Sequence, residues 1–154
     1  MEIRTLTASS EDSLILNAIL NDPRVRSGVG EDGTPDIEYS INHFPVTFLV
    51  TVDDRAVGLI LFRQNSLYDI DAHICFIEQG HAVRAAKKCI EMLGDYYDWR
   101  VISCKYPATA TGVNRLVKHV GFEMAGTIPE CYKTGGKFVD MNIYFLRRKL
   151  CLQQ

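Results

Sequence analysis

The sequence lacks the features that mark several specialised classes of protein. Asp and Glu outnumber Lys and Arg, 19 to 17, so the chain has no basic excess of the kind that nucleic-acid-binding proteins carry. No apolar run approaches the ~20 residues that span a bilayer. The first residues form neither a secretory signal nor a transit peptide. We therefore expect a cytoplasmic protein that binds neither nucleic acid nor a membrane.

Metal-binding and disulfide patterns are also missing. No Cys-x-x-Cys pair occurs, and the cysteines have no metal-ligand spacing with the four histidines, so no metal site is predicted. An odd number of cysteines fits a reducing compartment. The first three of the five lie in apolar patterns and are expected to fill the core. The cysteines are Cys75, Cys89, Cys104, Cys131 and Cys151.

No run rich in Pro, Ser or Gly divides the chain into parts, and there are no internal repeats. With 154 residues and 47% hydrophobic content, the chain is long enough to bury one substantial core. We expect a single domain that covers residues 1–154.

The most informative stretch is residues 69–93, where the hydrophobic period changes. Its first half alternates apolar and polar residues, as a strand does. Beyond residues 79–82 the apolar positions follow the three-and-four spacing of a helix. A helix that begins directly after a strand and a small turn presents unpaired N–H groups and the positive end of its dipole. This junction is therefore a candidate site for a phosphate or another anion.

The rest of the chain shows the same two periods. Strands are expected at residues 2–7, 46–52, 56–62, 68–77, 101–106, 122–128 and 138–146. Helices are expected after a cap at Ser9 or Ser10 up to Pro23, from residue 83 to Gly94, and from a cap at Thr109 or Thr111 up to Gly121. Residues 24–44 look irregular, with one short helix at 36–42, and form either a substrate-facing loop or a plain connection.

This order of elements predicts an α/β fold. A strand–helix–strand crossover beside several hairpins gives a central mixed, mostly antiparallel β-sheet with helices on both faces. Edge strands near the C-terminus are compatible with a homodimer.

The C-terminal part carries a more specific pattern. A helix that ends at Gly121-Phe122-Glu123 is followed by Gly126, a tyrosine, a glycine pair and Asp140, which leads an alternating strand. Together with the element order and the phosphate-type turn, this pattern resembles the GNAT superfamily of CoA-dependent N-acyltransferases over nearly the whole chain. The chain is also similar to members encoded by bacteriophages and prophages. The resemblance implies an N-acetyltransferase that moves an acetyl group from acetyl-CoA to a primary amine of a small molecule or a protein.

The resemblance also implies how the coenzyme binds. Its pantetheine would run between the strands at 68–77 and 101–106, which splay in this family. A backbone N–H in the segment Cys75, Phe76 and Ile77 would polarise the thioester oxygen. The diphosphate would take N–H groups at the helix start, and Asn114 would face the coenzyme. The residues expected at the helix start are Gln79, Gly80, His81, Ala82 and Val83.

Two positions of this sequence depart from the family pattern. Ile77 occupies the place of the Gln or Arg that usually opens the coenzyme loop, with Gln79 as a substitute by position. Val117 occupies the place of the usual tyrosine acid.

His73 is the candidate general base, because an imidazole titrates near neutral pH. It shares a strand face with Asp71, which either orients it or serves the sheet. A core histidine bonded to a backbone carbonyl is the alternative. The acid that protonates the leaving thiolate is expected to be Tyr106, with Tyr132, Tyr144 or water as alternatives. A nucleophilic cysteine paired with His73 is a further option, in which Cys75 or Cys104 would attack.

Two functional hypotheses compete with the transferase. The first is a non-catalytic protein of the same fold, either a CoA-binding sensor or a structural or interaction module. The second is a small nucleic-acid-binding module, which would need a basic face that the charge balance does not supply.

Overall fold

The computed structural model describes residues 1–149, so Cys151 and the rest of residues 150–154 lie outside the described part. The strands are β1 (Glu2–Thr5), β2 (Val46–Val52), β3 (Arg55–Gln64), β4 (Asp69–Phe76), β5 (Val101–Pro107), β6 (Glu123–Thr134) and β7 (Lys137–Arg147). The helices are α1 (Ser10–Leu20), α2 (Pro23–Val29), α3 (Ala82–Leu93) and α4 (Thr111–Val120), with a 3₁₀ turn at Ile41–His43. Within residues 1–149, no helix combines the length and the apolar character needed to cross a membrane.

The seven strands form one sheet in the order β1-β2-β3-β4-β5-β7-β6. Among the described strands, β4 and β5 are the one parallel pair, and α3 connects them. A core on one face of the sheet contains the buried residues of α3 and α4, and a second core on the opposite face contains those of α1 and α2. The predicted mixed, mostly antiparallel sheet with helices on both faces is confirmed.

The prediction for residues 24–44 is wrong in two places. Pro23 does not lead into a loop but begins α2, at a position where a backbone N–H would have no partner within the helix. The Asp22 side chain caps this helix by accepting the N–H of Arg24. The short helix expected at residues 36–42 is absent from this part of the structure. Side-chain oxygens at the end of α1 instead hold that segment in an irregular path, because Asn21, the C-cap, accepts the N–H of Ile37 and Asn17 accepts that of Tyr39.

Two further details also differ from the sequence prediction. The N-cap of α4 is Ala110, not Thr109 or Thr111, and it offers no side-chain bond. β6 continues to Thr134, well beyond the predicted end at residue 128, and an irregularity between Ile128 and Tyr132 interrupts its pairing with β7. A bulge of this kind leaves a strand in the sheet while it breaks the alternating pattern from which strands are read.

Candidate active site

The central feature of the candidate site is a cleft between β4 and β5. The two strands pair at Asp69–Asp71 with Val101–Ser103 and then stop pairing, although β4 continues to Phe76 and β5 to Pro107. A cavity of about 170 Å³ lies in the resulting gap. Its walls come from α2, the ends of β4 and β5, Gln79 and the first turns of α4. The splay that the resemblance implied is therefore present.

Tyr106 bridges the cleft. Its side chain is fully buried and lines the cavity, and its hydroxyl oxygen accepts the N–H of Ile74 across the gap at 2.7 Å. Burial raises the pKa of Tyr106 well above its ordinary value, so the phenol stays protonated. The hydroxyl hydrogen itself is donated to no group within residues 1–149. Tyr106 is thus a neutral O–H donor inside the cleft.

The backbone amides at the end of β4 point in alternating directions. Ile77 donates its N–H to Val57 of β3 at 3.0 Å, and Cys75 pairs with Leu59 on the same side. Since successive N–H groups of a strand point to opposite sides, the N–H of Phe76 points into the cleft. Of the segment 75–77 expected to polarise a carbonyl, Phe76 is therefore the residue whose amide faces the gap.

The start of α3 leaves several N–H groups unpaired. Ala82 donates to the carbonyl of Gln79 at 3.1 Å, but the N–H groups of Gly80, His81 and Val83 form no hydrogen bond within residues 1–149. The same holds for Arg84, whose exposed side chain adds a positive charge to this first turn. No side chain caps the helix. Unpaired donors, the helix dipole and a cation together make this end suited to an anion.

Gln79 connects this helix start to α4. Its amide nitrogen would lie 2.8 Å from a Cβ placed on Gly112, so the side chain lies against the first turn of α4. Gln79 also lines the cavity, whereas Ile77 packs against the core under α1.

Asn114 lies in α4 but is not among the residues that line the cavity. Its amide nitrogen donates to the carbonyls of Pro107 and Ala110, both at 2.8 Å. Its oxygen accepts from Asn142 at 3.0 Å and from the Tyr144 hydroxyl at 2.6 Å. All four bonds join α4 to the sheet or to its own first turn. The side chain holds α4 against β5 and β7, and its predicted contact with the coenzyme stays a prediction.

Asp71 and His73 lie on the α1–α2 face of β4. The next residue on this face, Cys75, lines the cavity. Nε2 of His73 is 3.4 Å from Asp71, and Arg63 donates to the same carboxylate oxygen at 2.7 Å. Burial alone would raise the pKa of Asp71, but the contacts with His73 and Arg63 outweigh it and hold that pKa below its ordinary value. The rings of His73 and Phe44 pack in a T-shaped arrangement, with centroids 5.0 Å apart. The pair is preorganised, and the His73 side chain stays about 30% exposed.

The cysteines near the cleft are poor nucleophiles. Burial raises the pKa of Cys75 to about 12 and that of Cys104 further, so both thiols stay protonated at neutral pH. Within the described residues, no group of three or more His, Cys, Asp or Glu side chains is placed to hold a metal ion.

Sequence reasoning missed the part of the site that α2 contributes. Val25, Ser27 and Gly28 line the cavity, although the sequence pattern predicts an irregular segment there. The Asp22-Pro23 pair, a capping residue followed by a proline at the first helical position, was the available signal for this helix. The bond between Tyr106 and Ile74 had no such signal, because it joins residues 32 positions apart.

Comparison with known proteins shows which solved structures share this architecture. The sequence matches no protein-family model, and a search of curated proteins finds no match. Solved structures do match. A ribosomal-protein-alanine N-acetyltransferase from Brucella melitensis has a TM-score of 0.76 at 15% identity, over 96% of this chain and 100% of its own. A spermidine N-acetyltransferase from Vibrio cholerae, in complex with CoA and spermine, has a TM-score of 0.77 at 14% identity, over 95% and 94%.

A third solved structure is an acetyltransferase of the GNAT family from Bacillus anthracis, with a TM-score of 0.57 at 18% identity over 66% of this chain and 65% of its own. At these identities the likeness concerns the fold. The chain has the GNAT fold.

Proposed function

We propose that this chain of GNAT fold is an acyl-CoA-dependent N-acyltransferase that acylates a primary amine. One observation carries the proposal: the β4–β5 cleft joins a helix start with unpaired amides to a cavity that contains a protonated tyrosine. The solved spermidine N-acetyltransferase of the same fold is a complex with CoA and spermine, which supports the same kind of ligand here.

The diphosphate of CoA fits the start of α3. The N–H groups of Gly80, His81 and Val83 are available to donate to phosphate oxygens, and Arg84 adds charge. A Cβ on Gly80 would meet no atom within 4 Å, so the space above this turn is open to a ligand. When bound, an acyl-CoA supplies an acyl group activated as a thioester.

Three residues around the cleft have separate roles in the reaction. The N–H of Phe76 is placed to stabilise negative charge on a carbonyl oxygen, an effect worth about 3 kcal/mol of barrier. Tyr106 donates its hydroxyl proton to the leaving sulfur. His73, held by Asp71, takes the proton of the attacking amine on the α1–α2 face, directly or through one water.

Calorimetry and an acetylation assay test the proposal together. We expect CoA to bind and acetyl-CoA to acetylate at least one amine in a panel of polyamines, amino acids and peptide N-termini. His73→Ala should lower turnover by about 10²–10⁴ with unchanged CoA affinity, because a general base contributes a factor of that order. The exposed His119 gives the matched control His119→Ala, expected to keep full activity.

The pH profile separates the assignments. Wild-type turnover should fall on acidification, since a protonated imidazole cannot accept the amine proton. A His73→Ala enzyme with wild-type turnover between about pH 6 and 9 would remove His73 from the mechanism. CoA binding without acetylation of any amine would instead favour the non-catalytic sensor, and the absence of CoA binding would reject both.

A further inference from the structure

The inner face of α2 has a gap in its row of side chains. Val25 is buried in the core under α1, and Gly28 and Val29 follow it at three and four positions, on the same side of the helix. All three residues line the cavity. Gly28 therefore faces the cleft at a position where a helix that packs on a sheet normally carries an apolar side chain.

Nothing in the fold requires a glycine at position 28. A Cβ there would meet no atom within 4 Å, and the backbone does not adopt the left-handed conformation that favours glycine. By contrast, a Cβ on Gly30 would collide with the Arg26 guanidinium. Glycine inside a helix also costs stability relative to alanine. The missing side chain leaves free space in the cavity without serving the packing of the protein.

Apolar side chains form about half of the cavity that this space enlarges, and polar side chains such as Ser27, Gln79 and Thr111 contribute to the rest. Val25, Val29, Ile74, Phe76 and Leu116 contribute to its walls. Arg24 is the one side chain of the lining with a permanent charge, and it donates two bonds to the Asp22 carboxylate at 2.8 and 2.7 Å, so its charge is neutralised. An apolar cavity of about 150 Å³ suffices to bind benzene. At about 170 Å³, this cavity exceeds the needs of an acetyl group.

We propose that the space beside Gly28 is a pocket for an uncharged acyl chain longer than acetyl, such as propionyl or butyryl. This proposal rests on the proposed function, because the acyl chain enters as part of an acyl-CoA. Gly28 then determines donor specificity: its missing side chain admits the additional methylene groups.

Calorimetric titration with CoA, acetyl-CoA, propionyl-CoA and butyryl-CoA tests the pocket without relying on turnover. Each methylene that enters an apolar pocket should tighten binding by about fourfold, so butyryl-CoA, with two methylenes more, should bind wild-type protein about sixteenfold more tightly than acetyl-CoA. Gly28→Val fills the space, and its butyryl-CoA affinity should fall to that of acetyl-CoA or below. Free CoA should bind both proteins equally.

Gly126→Val is the matched control. Gly126 in β6 also has no atom within 4 Å of a Cβ and lies outside the cavity lining, so the variant should keep the wild-type order of affinities. The acyl pocket is overturned if wild-type protein binds the longer acyl-CoAs no better than acetyl-CoA, or if Gly28→Val keeps the gain. Free CoA that binds in either case leaves the transferase proposal standing, whereas free CoA that does not bind overturns both.

Discussion

Asn114 shows how a single side chain shapes the site without lining it. Its side-chain amide forms four hydrogen bonds, two as donor and two as acceptor, which is all that the two N–H groups and two lone pairs of an amide allow. The bonds fix the start of α4 beside the end of β5, where Gly112 and Tyr106 form part of the cavity wall. The width of the cleft on this side therefore depends on Asn114.

Asn114→Ala should lower the free energy of unfolding by about 2 kcal/mol, because it removes the acceptor of the buried Tyr144 hydroxyl and the bond that joins α4 to the carbonyl of Pro107. Urea unfolding followed by fluorescence measures the change. Asn65→Ala is the control: Asn65 is exposed, and its side chain forms one bond, 3.4 Å long, to Asp69, so the substitution should cost less than about 0.5 kcal/mol. Equal losses for the two variants would contradict this role of Asn114.

Some contacts of individual side chains could be predicted from the sequence, and others could not. Asp71 and His73 were expected to interact because alternate residues of a strand share a face, and this pairing needs no knowledge of the rest of the fold. The partner of Tyr106 and three of the four partners of Asn114 lie in other elements of the fold. Sequence alone identifies these side chains as polar groups in apolar surroundings but does not identify the groups that satisfy them.

At the scale of elements, α1 begins with a closed network of bonds. Ser9 accepts the N–H of Asp12, and the Asp12 carboxylate accepts from Arg4 at 2.7 Å and from the backbone and hydroxyl of Thr7 at 2.6 and 2.8 Å. The bond from Arg4 is the largest influence, and with those from Thr7 it outweighs burial and holds the pKa of Asp12 well below its ordinary value. The network joins β1 to α1.

This lowered pKa predicts a pH-dependent stability. A carboxylate whose pKa is lower in the folded protein stabilises the fold above its unfolded pKa of about 3.9, and this contribution is lost as the pH falls towards the folded value. Asp12→Asn should thus cost about 2 kcal/mol at neutral pH, and the difference from wild type should shrink below about pH 4. Unfolding measured across this range provides the test.

The control for this prediction is Asp36→Asn, which removes an exposed aspartate that forms no ion pair within residues 1–149. It should leave stability nearly unchanged at every pH. A cost for Asp12→Asn that stays constant from neutral to acidic pH would mean that the ion pair with Arg4 does not stabilise the fold.

The elements differ in how well their boundaries can be predicted from the local sequence. The N-cap of α1 and the left-handed glycine that ends α4, Gly121 with φ of 117°, are local signals and were predicted. The path after α2 is set by distant contacts: Asp32 accepts the N–H of Gly136, and its own N–H donates to Lys133 of β6. No local pattern reports bonds across 100 residues, which is why this segment looked irregular.

At the scale of the molecule, the fold follows from the change of period within residues 69–93. An alternating strand followed by an amphipathic helix and a second strand requires a parallel pair, and the hairpins on either side complete the sheet. The end of the β4–β5 pairing has no counterpart in that pattern, because the alternation continues past the last paired residues, to Ile74 in β4 and to Tyr106 in β5. The cleft was therefore expected from family resemblance and not from periodicity.

The proposed function depends on the free amides at the start of α3, which we expect to bind the diphosphate of CoA. An NMR titration of isotope-labelled protein measures this directly, with pantetheine as the control ligand because it lacks the diphosphate. We predict that CoA shifts the amide resonances of Gly80, His81, Val83 and Arg84 in a saturable way, and that pantetheine leaves them in place. If these four resonances stay unchanged, either because CoA binds elsewhere or because it does not bind at millimolar concentration, the start of α3 is not the diphosphate site.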